Sequence, residues 1–287
     1  MKGIILAGGH GTRLFPLTSY ISKQLLPIYD KPMIYYSLST LMLAGIRDVL
    51  LISSSRDLQT YENVLGNGDN FGINIEYAPQ ESPNGIAESF LIGENFIEGN
   101  KVALILGDNI FYGANLTKIL IERSTFKSGA CIFACKVNNP SDFGVLEFNQ
   151  QNLPISIHEK PTNPPSNFAV TGLYFYDSKV VDFAKKLSPS KRGELEITDI
   201  NNMYLKQNEL YVEKMPRGVT WLDTGTVDSL IEAGNFVQII EKRQGIKIAC
   251  LEEIALNNGW ITKNQIEINL SQNNHKSSYS LYLKELL

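Results

Sequence analysis

Residues 8–13 read Gly-Gly-His-Gly-Thr-Arg and follow directly on the apolar run Ile4-Ile5-Leu6-Ala7. Glycine allows backbone conformations that other residues rarely adopt, and it lets a ligand come close to main-chain N–H groups. Arg13 adds a permanent charge on a planar fork that fits phosphate oxygens. Gly8, Gly9, Gly11, Thr12 and Arg13 therefore read as a phosphate cradle at the end of a buried strand. The plainer alternative is a tight turn with a surface arginine. Neither standard phosphate motif is matched: no Gly-Lys pair occurs in the chain, and Leu14 stands where a dinucleotide fingerprint has its third glycine. Lys23 is a second cation, which either joins Arg13 on one anion or snorkels from an apolar run.

These residues need elements to position them. Residues 2–7 read as a strand. Residues 33–44 read as a helix, with Pro32 where a first turn tolerates it and Gly45 where a helix stops. Strands are expected at 47–53, 73–78 and 102–106, and helices at 58–65 and 86–95. Continuous apolar strands alternating with helices predict a parallel sheet covered on both faces, with ligands bound beyond the carboxyl ends of its strands. The glycine turn and Asp108 both follow such ends. Beyond residue 130 the pattern is richer in strands: 130–137, 144–148, 155–159, 168–176, 210–215 and 220–222. Helices are expected at 198–207, 227–242, 254–259 and 277–287. The proline-rich 161–165 reads as a loop. The fold class is α/β, a single domain over 1–287 with a β-rich insertion on the substrate side.

The 287 residues are 43% hydrophobic and 20% charged, with a net charge of -4. No basic block stands out, so nucleic acid is not the expected partner. No apolar run approaches the length of a membrane span. Cys131, Cys135 and Cys250 give no disulfide framework, and the first two would share one face of a strand as packed thiols. The chain opens on a strand with no leader-like segment, and the expected location is the cytoplasm. Sequon matches at Asn115 and Asn269 read as chance.

Several longer stretches, in order, resemble the sugar nucleotidyltransferase family. They are GGHGTRLFPLT, KQLLPIYDKPMIYYSLSTLMLAGI, LGDNIFYG from Leu106, HEKP from His158, SNFAVTGLYFYD from Ser166, RGELEITDIN from Arg192 and TWLDTGT from Thr220. The likeness runs from Met1 to about Trp260. It implies a Rossmann-like, mostly parallel mixed sheet flanked by helices, with a nucleotide-binding part over about 1–130 and a sugar-binding and helical part over about 131–287. It also implies Mg2+-dependent transfer of a thymidylyl group from dTTP to glucose 1-phosphate, giving dTDP-glucose and pyrophosphate. The phosphate nucleophile in such a reaction is already ionised, so charge neutralisation and in-line positioning matter more than a strong base.

By the same resemblance, Arg13 and Lys23 hold the triphosphate and Lys160 holds the sugar's phosphate, these three being the catalytic set. Asp108 and Asp223 are the Mg2+ ligands. Read alone, each of these aspartates is also an ordinary turn residue. Gln80 and Gly85 join the cradle residues in binding the nucleotide, reading the base, although Pro83-Asn84-Gly85 is also a good turn. Glu159, Asn109, Gly144 and Val170 meet the sugar, although Glu159-Lys160 is also a plausible solvated pair at a strand end before Pro161. The family commonly has proline at Ser37, Gly-Leu-Ala-Gln-Ala where this chain has Gly85-Ile86-Ala87-Glu88-Ser89, tyrosine at Phe143, and glutamate or an apolar residue at His158. Glu88 and Ser89 put nucleobase preference in question. The resemblance further implies a homotetramer and feedback inhibition by a dTDP-sugar at a second site. Competing readings are a uridylyltransferase or other sugar-1-phosphate nucleotidyltransferase, and a sensor that binds nucleotide sugars without turnover. A nicotinamide-dependent oxidoreductase is disfavoured by the missing third glycine.

Overall fold

A computed structural model describes residues 1–9, 11–273 and 276–287. β1 (Lys2–Leu6) leads through the glycine turn and a short hairpin, β2 (Pro27–Ile28) and β3 (Lys31–Pro32), into α1 (Ile34–Leu43). Next come β4 (Asp48–Ser53), α2 (Leu58–Leu65), β5 (Asn74–Pro79), α3 (Glu88–Ile92), α4 (Glu94–Ile97) and β6 (Val102–Leu106). β7 (Asn109–Gly113), α5 (Leu116–Ser124), β8 (Ala130–Lys136), β9 (Gly144–Phe148), β10 (Pro154–Glu159) and β11 (Phe168–Tyr176) follow. The chain continues with α6 (Lys179–Ala184), α7 (Ile197–Lys206), β12 (Leu210–Lys214) and β13 (Val219–Asp223). It closes with α8 (Val227–Gln244), α9 (Leu251–Asn257), α10 (Lys263–Asn273) and α11 (Ser278–Glu285).

The expected parallel sheet is present. β6, β1, β4 and β5 lie side by side and all parallel. β11 runs antiparallel to β6 and joins this half to the strand-rich half, where β9, β10, β8 and β12 extend the same mixed sheet. The apolar runs are central strands because each is buried on both faces. Ile5 of β1 and Ile105 of β6 face a core closed by α1, α2, α5 and α9, whereas Ile4 and Leu104 face a second core closed by α3, α6 and α7. Cys131, Cys135 and Cys250 are free and buried. No helix among the described residues is long and apolar enough to cross a membrane.

Several elements were not legible in the sequence. The helix expected over 86–95 is two short helices divided at Gly93, where a Cβ would stand 2.9 Å from Ile4 Cδ1 on the sheet. The chain leaves Asp108 not in a plain turn but into β7, which pairs antiparallel with β13 as a separate two-stranded ribbon. In that register Asn109 lies opposite Asp223, so the ribbon brings the two acidic motifs together. Helices α5, α6 and α10 were also unread, as their apolar patterns are short or weak.

A buried charge cluster fixes two site-bearing segments to each other. Glu241 of α8 accepts from Lys31 Nζ at 3.0 Å, from Lys247 Nζ at 2.7 Å and from the Ile248 N–H at 2.9 Å. Asp30 accepts from both lysines as well. The cluster thereby ties the hairpin that follows Lys23 to the helix that follows Asp223. Removing one partner leaves buried charge uncompensated. Glu241→Ala is expected to lower stability by about 3–5 kcal/mol in urea unfolding. A loss within error of zero would show that the cluster is not a clamp.

Candidate active site

Arg13, Asp108, Asn109, Gly144, Glu159, Lys160, Val170 and Asp223 line one cleft of about 450 Å³ at the carboxyl-end edge of β1 and β6. Two glycines before Arg13 have left-handed backbones. Gly9 has φ +114° and Gly11 φ +58°, values that L side chains seldom adopt. Thr18 Oγ1 donates to the Gly11 carbonyl at 2.8 Å, and residues Thr12–Leu14 then form one 3₁₀ turn that buries Leu14 and leaves Arg13 exposed. Among the described residues the Arg13 guanidinium has no ion-pair partner. Gly225 lets it lie close to the segment after β13, since a Cβ there would stand 3.0 Å from Nη2.

Lys23 is not a snorkelling side chain. It is 7% exposed and pairs directly with Asp108. Its 3₁₀ turn, Lys23–Leu25, is anchored by Ser22, which donates to Gln24 Oε1 at 2.9 Å and lies 2.8 Å from the Tyr61 hydroxyl of α2. Gly107 makes room for this turn, because a Cβ at 107 would come within 2.9 Å of Gln24 Cγ.

The two aspartates have opposite electrostatics. Burial alone would push the Asp108 carboxyl up, but the Lys23 ammonium and hydrogen bonds from Lys23 and Asn109 hold it below the usual carboxylate range. Asp223 is pushed up to about 6, first by burial and then by the charge of Asp108, while Lys23, Arg13 and Lys160 pull the other way. No hydrogen bond from a described residue reaches the Asp223 carboxylate. Thr224 ties the two motifs together, its hydroxyl donating to the Asp108 carbonyl at 2.9 Å.

Asn109 occupies the site as a hub. Its Oδ1 accepts from the Gly172 N–H at 2.9 Å and from Trp221 Nε1 at 2.6 Å, and its Nδ2 donates to Asp108 Oδ1 at 2.9 Å. The irregular register of β11 between Val170 and Tyr174 is what presents the Gly172 N–H. Glu159, at the end of β10, is paired in register with Gly144 of β9. Its Oε2 accepts from the Thr198 hydroxyl and its Oε1 from Arg192 Nη1 at 3.2 Å. Lys160 has a left-handed backbone, φ +42°, unusual for a lysine, and its N–H donates to the Phe143 carbonyl at 3.0 Å.

Gly8 and Gln80 touch: a Cβ at Gly8 would stand 2.3 Å from Gln80 Oε1. Gly85 has a structural reason of its own, since a Cβ there would meet the Leu195 backbone at 2.4 Å. Sequence reasoning missed Arg192, Thr198, Tyr174 and Trp221 as cleft residues. Trp221 had a usable signal, as it lies two residues before Asp223 on the same strand and hence on the same face.

An α/β sheet that gathers cations and a carboxylate pair beyond its strand ends can receive phosphorylated ligands. A family model described as nucleotidyl transferase matches residues 2–239. The glucose-1-phosphate thymidylyltransferase of Neisseria meningitidis serogroup A is 55% identical over 287 residues, 100% of this chain and 99% of the relative. A crystal structure from Bacillus anthracis, assigned as a glucose-1-phosphate thymidylyltransferase and in complex with sucrose, superposes with TM-score 0.76 at 42% identity. It covers 82% of this chain and 94% of that one. A UDP-glucose pyrophosphorylase bound to UDP-glucose matches with TM-score 0.73 at 25% identity, over 83% and 98% of the two chains. The chain belongs to the nucleotidyl transferase family.

The raised value at Asp223 has a consequence for stability. The folded value of about 6 lies above the ordinary 3.8, so the folded state binds the proton more tightly than the unfolded state. The ionised carboxylate therefore destabilises the metal-free fold fully above about pH 6, and the penalty fades as pH falls to 3.8. Asp223→Asn in metal-free protein is expected to be more stable than the native chain at pH 7.5, by up to about 3 kcal/mol, with the gap closing toward pH 4. Equal or lower stability of the variant at pH 7.5 would count against this electrostatic picture.

Proposed function

We propose that this protein transfers a thymidylyl group from dTTP to glucose 1-phosphate, releasing pyrophosphate and dTDP-glucose. The observation that carries the reading is the array of Arg13, Lys23, Lys160 and Asp108 around Asp223, each of the four within electrostatic reach of its carboxylate. Full-length likeness to the thymidylyltransferase of Neisseria meningitidis supports the choice of substrates.

Two carboxylates with hard oxygen donors, one of them without a protein donor, fit a divalent cation. Among the described residues no group of three or more acidic, His or Cys side chains is placed to hold a metal ion, so substrate phosphates and water would complete the coordination. Asp108 and Asp223 would hold Mg2+, which when bound supplies charge neutralisation at the α-phosphate. In this reading the cradle N–H groups of Gly8, Gly9, Gly11 and Thr12 hold the triphosphate. Arg13 and Lys23 offset the charge that grows on departing pyrophosphate. Lys160 draws the sugar's phosphate into line with the α-phosphorus, and Glu159 accepts from sugar hydroxyls. Gly144 and Val170 offer backbone groups to the sugar, while Asn109 positions Asp108. Gln80 and Gly85 face the base. The whole chain acts as one unit, 1–130 toward the nucleotide and 131–287 toward the sugar.

The test is pyrophosphate release from glucose 1-phosphate with each nucleoside triphosphate. Fast, EDTA-sensitive release with dTTP is expected, and Asp108→Asn or Asp223→Asn should lower kcat by at least about 100-fold. Preference for UTP, as the structural likeness to a UDP-glucose pyrophosphorylase allows, would keep the mechanism and replace the nucleotide. Binding of dTTP without release would point to a sensor. A homotetramer controlled by a dTDP-sugar goes with this reading. Sedimentation is expected to give four chains, and a monomer at all concentrations would remove that part.

A further inference from the structure

Helix α1 carries Ser37, Ser39 and Thr40, and two of these hydroxyls turn back into the helix. Ser39 Oγ donates to the Tyr36 carbonyl at 2.7 Å, and Thr40 Oγ1 donates to the same carbonyl at 3.0 Å. That is a common outlet for a hydroxyl inside a helix. Ser37 behaves differently. Its Oγ reaches out of α1 and donates to the Leu106 carbonyl at 3.1 Å and the Asn109 carbonyl at 3.2 Å. A hydroxyl has one hydrogen, so the two carbonyls share it. These carbonyls stand on either side of Gly107-Asp108. Ser37 is fully buried, and a buried carbonyl left without its donor is costly. The rest of the turn is held as closely. The Gly107 N–H donates to the Leu6 carbonyl at 2.9 Å, and the Asp108 carbonyl accepts from the Thr224 hydroxyl. That hydroxyl also lies 3.1 Å from the sulfur of Met33, the residue just before α1. The start of α1 thus touches the Asp108 turn directly and, through Met33, the segment that follows Asp223.

We infer that Ser37 is a positioning residue for the proposed cation site: its hydroxyl, shared by the Leu106 and Asn109 carbonyls, fixes the backbone turn from which the Asp108 carboxylate projects. The inference rests on the proposed role of Asp108 as a cation ligand, and it names what holds that ligand's backbone. Lys23 and Asn109 set the carboxylate itself, whereas Ser37 sets the turn beneath it. Proline, which the family commonly has at this position, offers no hydroxyl. The Ser37 contact is therefore this chain's own addition, one that tunes the site and is not required by the reaction, and its expected effect is correspondingly modest.

The experiment titrates Mn2+ alone into ligand-free native protein, Ser37→Ala and Ser37→Thr, with binding read by electron paramagnetic resonance. Urea unfolding of each chain runs beside it, as do kcat and KM with dTTP, glucose 1-phosphate and Mg2+. Ser37→Ala should stay folded, bind Mn2+ about fivefold more weakly and lose about tenfold in kcat, with KM for both substrates unmoved. Ser37→Thr keeps the hydroxyl and should recover most of both losses. A merely structural role would lower the urea midpoint and leave the Mn2+ affinity and kcat of the folded variant at native values, and that result overturns the inference. So does a loss as large in Ser37→Thr as in Ser37→Ala, because the hydroxyl would then not be its cause. Ser37→Cys, a weaker donor of similar shape, carries the comparison if the alanine variant does not fold. Native protein that binds no Mn2+ would remove the cation site itself, and this inference with it, whereas equal Mn2+ binding by the native chain and Ser37→Ala removes the inference alone.

Discussion

The ion pair between Lys23 and Asp108 is the constraint on which the rest of the site depends. Each partner is largely withdrawn from water, and neither would be tolerated there alone. Lys23 reaches Asp108 only because Ser22, Gln24 and Tyr61 fix its turn and because residue 107 has no side chain. With Asp108 held ionised by that lysine, the nearby Asp223 carries the electrostatic penalty, and its carboxyl rises to about 6. The site thus holds two neighbouring carboxylates, only one of which is paired with a lysine. The positive groups around it, Arg13 and Lys160, have no ion-pair partners among the described residues and are free to meet anionic ligands.

The positioning of this pair is a matter of topology more than of local sequence. Asp108 follows a central parallel strand, while Asp223 ends a strand that belongs to a different, two-stranded sheet. Their meeting is fixed by one register, Asn109 against Asp223, and by the Thr224 hydroxyl on the Asp108 carbonyl. Asn109 then spreads the restraint to β11 through Gly172 and to β13 through Trp221. One asparagine side chain, with three hydrogen bonds to the protein, orients an aspartate and joins three strands.

What the sequence disclosed follows from this arrangement. The parallel half of the sheet was legible because strands buried on both faces are written as unbroken apolar runs, such as Ile4-Ile5-Leu6. The glycine turn was legible because few residues other than glycine accept the backbone angles at positions 9 and 11. The ribbon of β7 and β13 was not, since a two-stranded pairing across distant segments has no local signature. Gly93 interrupts a helix that periodicity alone would have continued, and it lies so close to the sheet that a Cβ there would stand 2.9 Å from Ile4 Cδ1. The roles of Arg192 and Thr198 on Glu159 were hidden likewise, as they arise when α7 and the loop before it pack on the end of β10. Of the proposed binding glycines, Gly85 is explained by its approach to Leu195, which no reading of a turn motif would have given.

Manganese titration of the ligand-free protein, followed by electron paramagnetic resonance, tests the central claim most directly. If the Asp108–Asp223 pair is a cation site, the native chain binds one Mn2+ per protein chain in the cleft, and Asp108→Asn and Asp223→Asn each abolish or greatly weaken it while remaining folded. Binding that is unchanged in both variants would contradict the account, because the paired carboxylates would then serve the fold and not the metal.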